Sequence, residues 1–83
     1  PPSTIYGTPI QTACIIHDWM YEFGNTIEDK QEADRIFLNN MIRLIQLDAH
    51  LWYKPTSLQY KRAQVYYRTV SIFGGVAFWA GKV

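Results

Sequence analysis

The residues best suited to chemistry are His17, with Asp18 beside it in Ile16-His17-Asp18-Trp19-Met20-Tyr21, and Asp34 in Ala33-Asp34-Arg35. Ionisable groups within apolar runs are costly to bury unless they are partnered. These two strings can supply partners to each other across one short turn. An imidazole held in one tautomer by a buried carboxylate is poised to take a proton from water. A free carboxylate such as Asp18 suits a hard cation. Calcium, which prefers oxygen ligands, would take Asp18 together with backbone carbonyls from Tyr6, Gly7 and Thr8.

Helical elements must position these groups. Thr8-Pro9-Ile10-Gln11 reads as a helix start, with Thr8 capping, Pro9 at the first helical position and Gln11 completing a capping box. Ile10, Ala13, Cys14, His17 and Tyr21 then share one face, and Gly24 is the expected left-handed terminator. Thr26 starts a second helix, with Glu28 and Asp29 complementing its positive end. Ala33, Phe37, Met41, Leu44 and Leu47 carry that helix to about Leu47. Leu51-Trp52-Tyr53 is expected to anchor a connection, and Thr56-Ser57-Leu58-Gln59 repeats the capping-box pattern. The third helix places Ala63, Tyr66, Val70, Phe73 and Ala77 on one stripe, and Gly74-Gly75 kinks or ends it. The fold class expected is all-α: a small three-helix domain with an antiparallel helical hairpin carrying the His-Asp site. His17 and Asp34 each stand seven residues from the short turn. At about 1.5 Å rise per residue they lie level, about 10 Å from it. Tyr21, one turn from His17, can donate its hydroxyl to the same carboxylate.

The 83 residues suffice for a single domain, 1–83, with residues 1–7 as an extended arm or loop. The chain opens Pro1-Pro2 without a methionine, which reads as a processed or excised part of a longer chain. A hydrophobic fraction of 48% argues against a disordered tail, and a net charge of +1 against a nucleic-acid footprint. Cys14, the sole cysteine, rules out an intrachain disulfide or a cysteine zinc cluster. The apolar C-terminal segment from Val70 to Ala80 is too short to span a bilayer, but suits a membrane surface or a partner.

His17-Asp18-Trp19-Met20-Tyr21 resembles the His-Asp-x-Cys-Tyr helix of calcium-dependent phospholipase A2 enzymes, with Met20 at the cysteine position. Ala33-Asp34-Arg35 resembles that family's Cys-Asp-Arg on the partner helix, and disulfide-free variants of parvovirus capsid proteins share the pattern. The resemblance implies His17 as base, Asp34 as its orienting partner, Tyr21 as support and Asp18 as a calcium ligand. The lipase calcium loop is Tyr-x-Gly-x-Gly, whereas this chain has Tyr6-Gly7-Thr8-Pro9. Over most of its length the chain is also similar to a family of small uncharacterised phage and prophage proteins, through Ala13 to Tyr21, Ala33 to Phe37 and Tyr66 to Gly74.

The leading expectation is a calcium-dependent, phospholipase A2-like ester hydrolase of viral or phage type. Its substrate would be a phospholipid or other ester at a membrane surface. The alternative is a non-catalytic phage or virion component, structural or protein-binding, that keeps the hairpin as scaffold and binds a neighbour through its aromatic C-terminal segment. The setting implied is a viral particle or a phage-infected bacterial cell. A third reading is a surface-binding module without chemistry. Plainer readings compete at each residue. A buried His–Asp pair is commonly a structural bridge, Cys14 a small core residue, and Lys61, Arg62 and Arg68 a solvated helix face. The phosphohydrolases marked by a His-Asp doublet need further histidines, and only His50 remains.

Overall fold

The computed structural model describes residues 3–82; Pro1 and Pro2, which begin the expected arm, and Val83 lie outside them. Two short antiparallel strands, β1 (Thr4–Ile5) and β2 (Thr8–Pro9), pair Thr4 with Pro9 and Ile5 with Thr8. They precede α1 (Gln11–Phe23), α2 (Ile27–Trp52), α3 (Ser57–Phe73) and α4 (Gly75–Trp79). The domain is all-α apart from this hairpin. It has four helices among the described residues, not the three expected from the sequence. α1 and α3 both pack on α2, giving a bundle 47 Å long and 19 Å across. Among the described residues no helix is long and apolar enough to cross a membrane.

The fourth helix arises at Gly74. Here α3 stops, its last bond running from Gly74 N–H to the Val70 carbonyl at 2.9 Å. The chain then turns so that α4 can bury Phe78 completely. Phe78 meets the Tyr21 ring edge-on, with centroids 5.2 Å apart, and lies against Gly24. A Cβ on Gly24 would stand 2.7 Å from Phe78 Cε1. Gly24 is therefore kept for close approach. Its backbone is extended (φ −73°, ψ 151°) rather than left-handed as expected.

Local capping patterns hold where their side chains have no better partner. Thr26 and Asp29 form a full capping box, Asp29 N–H donating to Thr26 Oγ1 and Thr26 N–H to Asp29 Oδ2, each at 3.1 Å. Thr8 does not cap α1, whose N-cap is Ile10. Instead the Thr8 hydroxyl donates to Asp48 Oδ2 at 2.5 Å and accepts from Gln59 Nε2 at 2.6 Å. Gln59 also donates to the Ile5 carbonyl at 3.1 Å, so it is drawn inward and the expected box with Thr56 is absent. α2 runs to Trp52, beyond Leu47, and ends on Tyr53 in the left-handed conformation. Pro55 disfavours helix at the residue before it. Leu51, Trp52 and Tyr53 remain exposed instead of anchoring the connection.

The main core joins Ile5 and Ile10 to Ala13 of α1, to Phe37, Met41 and Ile45 of α2, and to Ala63 of α3. Leu44, Tyr66 and Val70 pack at its edge. Phe73, expected inside, is 74% exposed, because the last turn of α3 meets α2 through its backbone carbonyls rather than through that ring.

Asp48 ties the hairpin, α2 and the following connection together. Lys54 Nζ donates to its Oδ2 at 2.5 Å, and this bond and the one from Thr8 hold its carboxyl below the usual carboxylate range. Asp29 is also held below its ordinary value, by the backbone N–H groups of Asn25 and Thr26. A carboxylate with a depressed folded pKa contributes stability that is fully present above its unfolded value, about 3.9 for aspartate. That stability is lost as pH falls through the folded value. Urea midpoints should therefore hold steady from neutral pH down to about 4 as far as these aspartates are concerned, and decline below it. Asp48→Asn should lower the midpoint at neutral pH and converge with the parent in acid. Equal separation of the two midpoints at both pH values would show that Asp48 carries no linked proton.

Candidate functional site

The antiparallel pairing of α1 and α2 brings His17 and Asp34 level. Both are buried, and His17 Nε2 lies 2.8 Å from Asp34 Oδ1. The carboxylate can only accept here, so Nε2 carries the hydrogen and donates. Tyr21 Oη donates to the same Oδ1 at 2.6 Å. Burial, the bond to Asp34 and the charge of Asp34 all push the Tyr21 hydroxyl pKa up, which keeps it protonated as a donor. The His17 ring stacks on Phe37, with centroids 4.6 Å apart.

A fourth member was not foreseen. Lys30, one turn before Asp34 on α2, is 5% exposed, and its Nζ donates to Asp34 Oδ2 at 2.7 Å. The same ammonium donates to the carbonyls of Val70 at 3.0 Å and Ser71 at 3.3 Å, in the last turn of α3. A cation at the carbonyl end of a helix meets its negative pole. Both Asp34 oxygens are thus occupied, Oδ1 by two donors and Oδ2 by one, and its charge is matched by that of Lys30. One signal was available: Lys30 falls on the same stripe of α2 as Ala33, Asp34 and Phe37.

Gly74 closes the cluster from the α3 end. A Cβ there would stand 2.6 Å from Tyr21 Oη and would also press on the Val70 carbonyl. Gly74→Ala should displace the Tyr21 hydroxyl or the end of α3, at about 1–3 kcal/mol of overpacking. Thermal melting measures this, and an unchanged melting temperature would count against the close approach.

The residues expected to bind calcium are not brought together. Asp18 is exposed on α1, in a cleft that also holds Phe78 and Lys82. Tyr6 and Gly7 form the turn between β1 and β2, both with positive φ (44° and 86°). Thr8 is tied to Asp48, fourteen residues along α2 from Asp34. At about 1.5 Å per residue that is about 21 Å from the level of His17 and Asp34. The turn is also flanked by cations: Arg62 Nη2 donates to Tyr6 Oη at 3.0 Å, and Lys54 Nζ lies beside Gly7. Among the described residues no group of three or more His, Cys, Asp or Glu side chains is placed to hold a metal ion. The calcium expectation fails on this arrangement. The phospholipase A2-like hydrolase falls with it. Burial and then the nearby charge of Asp18 raise the Cys14 thiol pKa.

Residues 4–70 match the family described as Protein of unknown function (DUF1353), and the chain belongs to that family. The family match lends no support to phospholipase chemistry. No curated protein and no solved structure matches the chain.

Proposed function

We propose that this chain is a non-catalytic structural or protein-binding component in a phage-related setting, which keeps the α1–α2 hairpin as a scaffold. The observation that carries this reading is the separation of the Tyr6–Thr8 turn, tied to Asp48, from the level of His17 and Asp34. A base-orienting carboxylate serves catalysis by supporting an imidazole that exchanges protons with a substrate or water. Here the carboxylate accepts from the Nε2 of the imidazole, a phenol and an ammonium inside the bundle, and what these bonds tie together is three helices. Buried networks of this kind rigidify a fold. The outside supports a contact role. Trp19 is 63% exposed beside Phe23, and Trp79 is exposed next to Phe78 and Tyr21. Aromatic residues left on the surface in groups favour protein contacts. Family membership agrees with the phage context that the sequence resemblance implies.

The test is His17→Gln in the phage or prophage that encodes the chain. Glutamine can still donate to Asp34 but cannot act as a base. A scaffold predicts unchanged particle yield and unchanged recovery of the chain in the assembly it serves. A folded His17→Gln protein that loses its biological role would overturn the reading.

A further inference from the structure

We propose that the partner at the aromatic surface is a second copy of this chain, with the outer face of α1 on one copy seated on the outer face of α3 on the next. The inference rests on the protein-binding reading above and names its partner. Ile15, Trp19 and Phe23 recur four residues apart on the solvent side of α1, and all are exposed. Leu58, Val65 and Ile72 recur seven residues apart on α3, opposite the buried Ala63, and are likewise exposed. Residues seven apart stand nearly above one another on a helix, so these three form one narrow apolar stripe. Neither stripe is covered by the described residues.

Charge selects how the stripes pair. Asp18 and Glu22, with Lys82 in the same cleft, run beside the α1 stripe, while Asp29 and Glu32 of α2 border the cleft that holds Trp19 and Phe23, so that acids outnumber this base four to one. The α3 stripe is flanked by exposed Lys61, Arg62 and Arg68, and Ser57–Phe73 contains no acid. No aspartate or glutamate follows Asp48 anywhere in the chain. Two α1 faces would repel, and so would two α3 faces, which opposes a two-fold dimer through either. An acidic face meeting a basic one is complementary, which suppresses the wrong pairing and fixes the right one. Such a contact joins unlike surfaces, so each copy keeps one face open and assembly continues into a ring or an open row.

Sedimentation velocity on the full chain tests this. Species larger than a dimer should grow with concentration at about 0.1 M salt and dissociate near 1 M, where the screening length falls to about 3 Å. Glu22→Lys with Glu32→Lys, and separately Lys61→Glu with Arg68→Glu, should each sediment as a monomer. Mixed together they should regain assembly. A second pair, Trp19→Ser and Val65→Ser, breaks one face in each chain without touching the Asp34 cluster. Each alone should be monomeric, and their mixture should stop at a one-to-one dimer. A parent chain that stays monomeric at millimolar concentration overturns the inference, as do mixtures that fail to associate. If the parent chain is monomeric but another phage protein binds it through Trp19, self-assembly is wrong and the scaffold reading stands. If the chain self-assembles while His17→Gln loses its role, the scaffold reading fails instead.

Discussion

Asp34→Ala is expected to bring the domain close to unfolding at room temperature. The substitution leaves the Lys30 ammonium buried with two backbone carbonyls and no counter-charge, and removes the acceptor of His17 and Tyr21. Removing one partner of a buried ion pair costs about 3–5 kcal/mol. A domain of this size holds on the order of 4–12 kcal/mol in total, taking 0.05–0.15 kcal/mol per residue. The urea midpoint should fall by a large fraction. Adding Lys30→Met to Asp34→Ala should then recover part of the loss, since the uncompensated charge is gone. A double variant less stable than Asp34→Ala alone would show that Lys30 contributes through its carbonyl bonds rather than through its pairing with Asp34. An Asp34→Ala protein that melts with the parent would mean the cluster contributes nothing to stability.

The second large effect is a contrast between two phenylalanines. Phe37 is 2% exposed, packs in the main core and stacks under His17. Phe37→Ala should cost about 3–5 kcal/mol through lost burial and an unfilled cavity. Phe73→Ala should change stability by no more than about 0.5 kcal/mol, because surface substitutions away from special features rarely do more. Periodicity alone assigned both rings to the core, so calorimetric melting of the two variants distinguishes the pattern from the packing. A large loss from Phe73→Ala would place the end of α3 differently.

The meeting of His17 and Asp34 was legible in the sequence because helical rise is fixed and both residues stand equally far from one turn. The Thr26 cap was legible for a similar reason, since its partners are local and exposed. Thr8 and Gln59 were misread because their cap patterns lie within one short string, while their actual partners lie some forty and fifty residues away. Lys30 was passed over because lysine is ordinarily a surface residue; only a carboxylate and two helix-end carbonyls converging on it make its burial tolerable. The calcium set resembled a lipase site in residue type. Resemblance over a short string carries no information about separation, and here the turn and Asp18 lie near different levels of a 47 Å bundle. The burial of Phe78 against α1 was not legible, because the Gly74-Gly75 break hides the return of the chain onto that helix.

Lys30 divides its three hydrogen bonds between a carboxylate of its own helix and the carbonyl end of another. Lifting α3 from the bundle would strip two acceptors from the Lys30 charge. Release of α1 would take away two of the three donors that quiet Asp34. Neither helix can therefore detach as an inexpensive local fluctuation of the kind that loosens many small domains at their edges. The three long helices are expected to open and close as one cooperative unit, with states in which a single helix is undocked disfavoured from both sides of the same ion pair.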